Sequence, residues 1–402
     1  MKRLTPLSGM NNVAHDDEMS ALGNEHLLKL RDAMNVDISS SGRISIRRSG
    51  RSVTDTAYKN LWQSPLHKDV FATLGNQLVR INPQQWTHEV IGDISSTGYI
   101  NYEVINNLIY ISDGTNIYTY DGNKLQILTI ETPPKPYVNE AGNGALGAGD
   151  YVVAISWVRD GLESGLSESE KFEISSNGLV GDRTGSSLEV TLPYCFDQTV
   201  DSVNVYVTTR NGSELRKYVT IAASQNKVII NQIDDLGRSI QFSQLSPMSA
   251  GKFMAFWQGR LFTADRNIIK FSQALNFHLF DERYDFIAMP QRITFLQPVD
   301  GGIWVGQVDH VVFLMGDEPK KLSHLKKPAQ APVPFSAIPM DAESLGGLAQ
   351  GAKCVIWLSE HGYVVGTSNG LLLEPHANQL KGITAKSGQS VRLGQRVVTV
   401  IS

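Results

Sequence analysis

Apolar and polar residues alternate in short runs along most of this chain, and tight turns separate the runs. The clearest stretch is residues 99–130, where YINYEVIN, NLIYISDG, NIYTYDG and KLQILTI predict four successive strands. Asp113-Gly114 and Asp121-Gly122 predict two of the turns, because these pairs accept the positive φ that tight hairpins require. A four-stranded antiparallel unit that recurs about every 40 residues is typical of a β-propeller blade. The pattern therefore indicates a structural or binding scaffold before it indicates an enzyme.

The same rhythm continues on both sides of this stretch. Residues 69–92 predict three strands with Gly75-Asn76 as a turn, and an alternating strand at Ile44 and Ile46 precedes them. After residue 250 further units follow, with predicted turns at Gln258-Gly259, Asp300-Gly301-Gly302, His361-Gly362 and Asn369-Gly370. The units predict five or six blades. We expect the C-terminal strand Arg396–Ile401 to close the ring by pairing near Ile44.

Changes in composition divide the chain into four segments. Residues 1–41 are polar and irregular, and predict an arm that is either a loose terminus or packs on a neighbouring subunit. Residues 42–131 and 250–402 predict the two parts of the propeller. Between them the linker ETPPKP leads into residues 132–249, whose roughly seven longer strands around Trp157 predict an inserted β-sandwich. The expected fold class is an all-β, discontinuous β-propeller with an inserted β-sandwich domain.

The charge balance bears on possible partners. The 402 residues are 41% hydrophobic and 19% charged, as in an ordinary globular protein, and the net charge is −4. This net charge disfavours a general nucleic-acid-binding role, which needs a basic surface. A local basic cluster fits a contact with nucleic acid or an acidic neighbour as well as an exposed strand end, and it comprises Arg43, Arg47, Arg48 and Arg51.

Cysteine usage and targeting signals point to the cytoplasm as the place of synthesis. Cys195 and Cys354 cannot make a disulfide framework, and we expect both to be buried small hydrophobic residues. The N-terminal segment has no apolar stretch of a signal peptide, and no run of membrane-spanning length occurs. The sequence therefore predicts a protein made in a reducing compartment, without membrane insertion.

No strong catalytic signature is present, and we expect no catalytic, cofactor-binding or metal-binding residues, and no cofactor. His310 alternates with apolar residues, which predicts a solvent-facing strand position. The run His15-Asp16-Asp17-Glu18 has cation-binding atoms but is typical of a solvated charge run. The loops at Asp113–Asn116 and Asp121–Asn123 lack the spaced ligands of a calcium loop, so turn chemistry explains them. A glycosidase carboxylate pair stays open, because such pairs converge only in space.

Part of the inserted segment resembles fibronectin type III-like modules. In those modules a strand of the form Y-x-V-x-x-x-W-V is followed by G-x-E-S-x-x-S, and residues 151–167 match it with Gly161, Glu163, Ser164 and Ser167. Residues 203–212 resemble the later hairpin of the same modules. The resemblance implies a fibronectin type III-like sandwich.

The two outer parts of the chain resemble the tail hub, or nozzle, proteins of short-tailed bacteriophages. LRDAMNVDISSSGRISIRRSG at residues 30–50 is similar to their opening segment, and VIWLSEHGYVVGTSNGLLLEP is similar to their last blade. The matching positions of the first segment are Ala33, Asn35, Val36, Asp37, Gly42, Arg47 or Arg48, and Gly50. The resemblance implies a virion structural protein, present as a homohexameric ring that contacts the portal or head-to-tail adaptor and other tail proteins, including fibres. Genomic DNA would leave through its lumen without sequence-specific binding, which suits a net acidic chain, because a basic lumen would retain phosphates.

Two other functions remain open at this stage. A receptor- or glycan-binding propeller would need aromatic and polar pockets in successive blades, and tryptophans occur about once per unit, at Trp62, Trp86, Trp257, Trp304 and Trp357. Burial between blades explains these tryptophans more simply. A propeller glycosidase would need carboxylates gathered at the ring centre.

Overall fold

The molecule is built almost entirely from short antiparallel sheets. The structure, a computed structural model, describes residues 7–15, 19, 28–39, 41–47, 51–66, 68–96, 98–175, 185–240, 243–345, 352–394 and 396–402. In these residues five four-stranded sheets follow each other as antiparallel meanders, which we number blades 1 to 5. A two-sheet β-sandwich lies between blades 2 and 3 in the chain. The protein is thus an all-β, discontinuous β-propeller with an inserted β-sandwich.

The first two blades precede the sandwich. Blade 1 comprises β5 (Lys59–Gln63), β6 (Val70–Leu74), β7 (Gln77–Asn82) and β8 (Thr87–Asp93). Blade 2 comprises β9 (Asn101–Ile105), β10 (Leu108–Ser112), β11 (Ile117–Tyr120) and β12 (Leu125–Ile127). Blade 2 confirms the four strands predicted at residues 99–130. In blade 1 the sequence pattern missed β5, so the three predicted strands are in fact the last three of four.

Three blades follow the sandwich. Blade 3 comprises β22 (Phe253–Trp257), β23 (Arg260–Asp265), β24 (Ile268–Phe271) and β26 (Phe286–Ala288), with β25 (Leu279–Phe280) paired to β21 (Ser246–Pro247) beside it. Blade 4 comprises β27 (Ile293–Val299), β28 (Gly302–Gln307), β29 (Val311–Met315) and β30 (Ser323–Lys327), with a 3-10 turn at Pro319–Lys321. Blade 5 comprises β31 (Ile338–Asp341), β32 (Lys353–Ser359), β33 (Gly362–Gly366) and β34 (Leu372–Leu373), with a 3-10 turn at Ala342–Leu345.

Burial along a blade explains its sequence pattern. The second strand lies between neighbouring blades and is apolar on both faces, so β28 is buried at every position. The fourth strand lies at the outer rim and is mostly exposed, as in β8 and β30. A strand buried on both faces reads as a continuous apolar run, whereas a strand with one solvent face alternates. The rim strands are mostly exposed, so apolar residues neither run continuously nor alternate clearly along them. Their bounds are therefore hard to predict from the sequence.

Consecutive blades are joined by specific core contacts. The pairs are Trp62 with Tyr102, Ser112 with Gly251, Trp257 with Val299, and Trp304 with Thr367. In the last two, an indole N–H donates to a backbone carbonyl of the following blade at 3.0 and 2.9 Å. These bonds satisfy buried donors while fixing the blade orientation.

Residues that flank the strands of the first and last blades, or lie in their turns, pack on these two blades. On blade 1, Tyr58 and Trp86 pack against a cluster around Ala72 and Val79. On blade 5, Val397 packs against a cluster around Ile356. Among the described residues no hydrophobic cluster joins blade 5 to blade 1.

The expected closing role of Arg396–Ile401 is wrong. This strand, β36, pairs antiparallel with β35 (Gly388–Leu393) as a C-terminal hairpin. Ile44 belongs to a separate hairpin, in which β4 (Ile44–Ile46) pairs with β3 (Val36–Ile38). A hairpin of neighbouring strands closes a much shorter loop than a pairing between the two ends of the chain, so its entropic cost is lower.

In its described residues, the inserted sandwich has eight strands in two sheets around one core. The strands are β13 (Tyr137–Leu146), β14 (Gly149–Arg159), β15 (Leu162–Glu163), β16 (Glu170–Ile174), β17 (Ser186–Thr191), β18 (Ser202–Val207), β19 (Arg216–Ala222) and β20 (Lys227–Ile230). One sheet has the order β13-β17-β20; in the other, β14 pairs with β15, β16 and β18, and β18 pairs with β19. Trp157 is buried in the shared core, as predicted.

Buried polar contacts attach the sandwich to the propeller. Arg159, at the end of β14, donates from Nη2 to the carbonyl oxygens of Ile127 and Leu128 of blade 2, at 2.6 and 2.9 Å. His278 Nε2 lies 2.9 Å from the carbonyl oxygen of Glu163. The sandwich is therefore tied to blades 2 and 3 by more than its two linkers.

The described part of the N-terminal arm contacts the C-terminal region of the same chain. β1 (Leu7–Met10) pairs in parallel with β2 (Leu28–Leu30). Asn12 follows β1, and its side chain exchanges two hydrogen bonds of 2.9 Å with the backbone of Lys381. These contacts place the start of the arm next to the segment that follows blade 5.

Candidate functional site

A cleft lined by three cations lies where blades 3 and 4 meet the segment that links blade 4 to blade 5. We call it the basic cleft, and its volume is about 330 Å³. Its lining residues are Lys252, Phe253, Asp265, Arg266, Arg292, Ile293, Thr294, Pro334 and Phe335.

Strand direction brings these residues to one end of the blades. In an antiparallel meander the first and third strands run the same way, so the start of the first strand and the turn before the third share one end. Lys252 directly precedes β22, Arg292 directly precedes β27, and Arg266 lies in the turn between β23 and β24. The carbonyl oxygen of Arg266 accepts a hydrogen bond from Ile293 N at 2.6 Å, which fixes the turn against blade 4.

The floor of the basic cleft is apolar. Phe253 and Ile293 are buried, and Phe335 packs on Phe253 and Tyr99, with ring centroids 5.3 and 4.5 Å apart. Phe335 has a φ of 64°, a left-handed conformation that is strained for an aromatic residue. The backbone N–H of Phe335 donates to the carbonyl oxygen of Thr294 at 3.1 Å, so blade 4 holds this segment in place.

The charges of the basic cleft are poorly compensated within the described part of the chain. No carboxylate there forms an ion pair with Lys252 or Arg292. Asp265 approaches Arg266 only to 4.0 Å, and the Arg266 side chain is 88% exposed. Such an exposed pair contributes little, so three cations face one loosely held carboxylate.

A second, shallower cleft on blade 1 differs in this respect. It lies along β7 and β8 and includes Arg80, His88 and Glu89. Arg80 Nη2 donates to Glu89 Oε2 at 2.7 Å, and the hydroxyl of Tyr58 lies 2.8 Å from His88 Nδ1. Arg80, His88 and Glu89 of this cleft therefore already have partners in the protein.

Among the described N-terminal arginines, Arg47 has a carboxylate partner within its own hairpin. Arg47 pairs with Asp37 across the β3–β4 hairpin, with Nε and Nη2 at 3.1 and 3.0 Å from Oδ1. Arg43 and Arg51 are exposed. Arg48 and Gly50 lie outside the described residues. Arg47 therefore has a structural partner, a contact that the sequence did not indicate.

The two acidic loops of blade 2 are turns, as predicted. Asp113 Oδ1 accepts hydrogen bonds from the backbone N–H groups of Thr115 and Asn116 at 2.8 and 2.7 Å. Asp121 Oδ1 does the same for Asn123 and Lys124, and these bonds lower the pKa of Asp121. In the described residues no group of three or more acidic, histidine or cysteine side chains is placed to hold a metal ion. Asp16, Asp17 and Glu18 lie outside those residues.

His310 is buried, and the prediction of a solvent-facing position is wrong. Its Nε2 lies 2.9 Å from Gln307 Nε2, and its Nδ1 lies 2.6 Å from Asp309 Oδ1. His310 lies in the turn between β28 and β29 and not within a strand. The alternation of inward and outward side chains along a strand therefore does not apply to it.

The tryptophans pack mainly in the interior. Trp257, Trp304 and Trp357 are buried, which confirms the structural interpretation for these three, while Trp62 and Trp86 are half-buried. Buried indoles cannot face a glycan. Cys354 is buried as predicted, and burial raises the pKa of its thiol to about 11, whereas Cys195 is only half-buried.

The sequence did not single out the basic cleft. Lys252, Arg266 and Arg292 are 14 and 26 residues apart in the chain, and each lies beside a turn, where exposed cations are common. The repeated blade pattern is the one feature of the sequence that relates these cations, because Lys252 and Arg292 each directly precede the first strand of a blade. The helices of the described residues include none long and apolar enough to cross a bilayer.

Comparisons with known proteins address the fold only. No protein-family model and no curated protein matches this chain. Similar solved structures include Kluyveromyces lactis Hsv2 with loop 6CD replaced by a Gly-Ser linker. It is 9% identical, with 86% of this chain and 89% of that chain covered and a TM-score of 0.32. The N-terminal domain of Nup159 is 10% identical, with 85% of this chain and 71% of that chain covered and a TM-score of 0.29. Saccharomyces cerevisiae Sqt1 is 9% identical, with 75% of this chain and 93% of that chain covered and a TM-score of 0.21. The β-propeller assignment therefore depends on the sheet topology described above.

Proposed function

We propose that this chain is a structural subunit of a short-tailed bacteriophage tail, where copies form a ring that extends the DNA-exit channel. The similarity of residues 30–50 and of the blade 5 strands to tail hub proteins suggests the biological setting. The structural observation that supports an assembling subunit is a set of exposed apolar side chains on the two terminal hairpins. Met34, Ile46 and Val400 are 79%, 85% and 70% exposed.

The β3–β4 hairpin has little reason to be stable alone. β3 and β4 have three residues each, and all three residues of β4 are exposed. An isolated two-stranded hairpin is marginally stable in water, and clustered exposed apolar side chains mark interaction surfaces. A neighbouring copy that covered Ile44 and Ile46 would stabilise the hairpin and bury this apolar surface.

The rest of the molecule suits a load-resisting ring. Buried indole-to-carbonyl hydrogen bonds join blades 3 to 4 and 4 to 5, and Arg159 ties the sandwich to blade 2. A propeller whose blades bury their faces against each other leaves loops and edges free to contact portal, adaptor and fibre proteins. DNA would pass through the lumen of the assembled ring.

Two measurements test the proposal. Mass spectrometry and cryo-electron microscopy of purified virions should detect the chain as an axial ring in the tail, with six copies expected. Mass photometry of the purified protein should show a ring that Ile46→Asp reduces to monomers. Leu275→Asp is the matched control, because Leu275 is 75% exposed but lies on blade 3, away from the hairpins. Absence of the chain from virions would refute the tail assignment, and equal effects of the two substitutions would refute the hairpin contact.

A further inference from the structure

We infer that the basic cleft binds a small phosphorylated ligand with a planar organic group, of the nucleoside diphosphate class. The inference uses Lys252, Arg266, Arg292 and the apolar floor, and does not depend on the proposed role in a phage tail. The volume of about 330 Å³ falls in the range of small-molecule clefts.

The charge pattern favours a multiply charged anion. Lys252 and Arg292 have no carboxylate partner among the described residues, and Arg266 has only the distant Asp265. A single carboxylate would neutralise one cation, whereas a diphosphate offers oxygens to all three. Guanidinium groups bind phosphate oxygens through paired N–H donors, and the lysine ammonium adds a point charge.

The apolar floor favours an organic group next to the phosphates. Phe253 and Ile293 form a water-poor base, and the half-buried Phe335 and Pro334 form one wall. Contacts of Phe335 with Tyr99 and Phe253 hold its ring in place, so stacking a planar group on it costs little side-chain entropy. Charge interactions above a low-dielectric floor are also stronger than on an open surface.

Thr294 adds a polar group beside the charges. It is 3% exposed, and its hydroxyl has no hydrogen-bond partner within the structure. Buried hydroxyl groups without a partner are uncommon and costly. The hydroxyl oxygen now faces Gly306 of β28, and a change of χ1 rotamer on ligand binding would turn it to donate to a phosphate oxygen.

Calorimetric titration of the full chain with pyrophosphate and with ADP tests the inference. Both probes should bind, and ADP should bind more tightly because its base contacts Phe335. The double variant Lys252→Ala/Arg292→Ala should weaken both by about 100-fold, roughly tenfold for each charge-assisted contact. Both side chains are exposed and form no ion pair with a described residue, so we expect folding to be retained, which thermal unfolding would verify.

Two further variants separate the parts of the inference. Lys124→Ala/Arg238→Ala removes the same charge from blade 2 and from the segment after the sandwich, and should leave both affinities within about twofold. Phe335→Leu should weaken ADP several-fold and leave pyrophosphate unchanged. Equal losses in the two double variants would mean non-specific attraction and overturn the site. Binding of a single-stranded oligonucleotide without binding of either small probe would overturn the ligand class.

Discussion

The indole ring of Trp62 stacks on the phenol ring of Tyr102, with centroids 4.7 Å apart and planes inclined by only 3°. Trp62 belongs to the first strand of blade 1, and Tyr102 to the first strand of blade 2. Phe71 completes the cluster at 5.9 Å from Trp62. The stack thus joins the first two blades near the inner side of both sheets.

Removing the indole should weaken the contact between blades 1 and 2. We expect Trp62→Ala to lower the free energy of unfolding by about 2 kcal/mol, from lost burial and lost stacking, and Trp62→Phe to lower it by less. Urea unfolding followed by circular dichroism would measure both. Leu61→Ala on the same strand is the control, because Leu61 is exposed and should change the midpoint little. A similar loss in both alanine variants would contradict a specific role for the stack.

The sequence predicted the blades far better than it predicted how they are joined. Turn pairs such as Asp113-Gly114 are local, and Gly114 adopts the expected positive φ of 83°. The stack of Trp62 on Tyr102 and the basic cleft depend on residues from different blades, whose relative placement no local pattern encodes. The misplacement of Arg396–Ile401 has the same origin, because alternation identifies a strand without identifying its partner.

Gly366 should be essential for packing between blades 4 and 5. A Cβ at this position would lie 2.5 Å from Cε2 of Trp304, whose ring is fully buried. We expect Gly366→Ala to destabilise the protein by about 1–3 kcal/mol, because the ring cannot move without disturbing its hydrogen bond to Thr367. Thermal and urea unfolding measure the loss. Gly142→Ala is the matched control, since no atom lies within 4 Å of the point that its Cβ would occupy, and it should be tolerated. Equal stability of the two variants would show that the blades can shift apart.

Arg159 should control how firmly the sandwich is held. Its guanidinium donates to carbonyl oxygens of Ile127 and Leu128, and Asp197 Oδ2 lies 3.6 Å from Nη1. Burial lowers the pKa of Arg159, and the negative charge of Asp197 opposes that shift. Arg159→Met leaves the buried carbonyl of Leu128 and the partly buried carbonyl of Ile127 without this donor, so we expect a loss of about 3 kcal/mol.

Hydrogen exchange would locate the effect of Arg159→Met. Backbone amides of residues 127–132 should exchange at least about tenfold faster, while those of blade 4 should keep their protection. Lys171→Met is the control, because Lys171 forms an exposed 2.8 Å pair with Asp150 at the sandwich surface. Unchanged exchange at residues 127–132 in Arg159→Met would show that other contacts hold the sandwich.

Glu103 should make stability depend on pH between 4.5 and about 7. It lies on β9, the first strand of blade 2, where burial raises the pKa of its carboxyl group from 4.5 to about 7 and the charge of Lys353 opposes that shift. Between these values the folded protein holds a proton that the unfolded chain releases, so the free energy of unfolding falls as the pH rises. The contribution is fully present below pH 4.5 and lost above about pH 7. Its size is about 2–3 kcal/mol, after allowance for partial exposure.

Glu103→Gln isolates this contribution, because glutamine resembles the protonated acid and does not titrate. Urea unfolding should show near-equal stability of the two proteins at pH 4.5, with the variant becoming about 2–3 kcal/mol more stable by pH 8. Glu282→Gln, which changes an exposed carboxylate on blade 3, should follow the unmodified protein at every pH. A constant difference between Glu103→Gln and the unmodified protein across this range would mean that Glu103 is ionised in the folded state, with Lys353 compensating its burial in full.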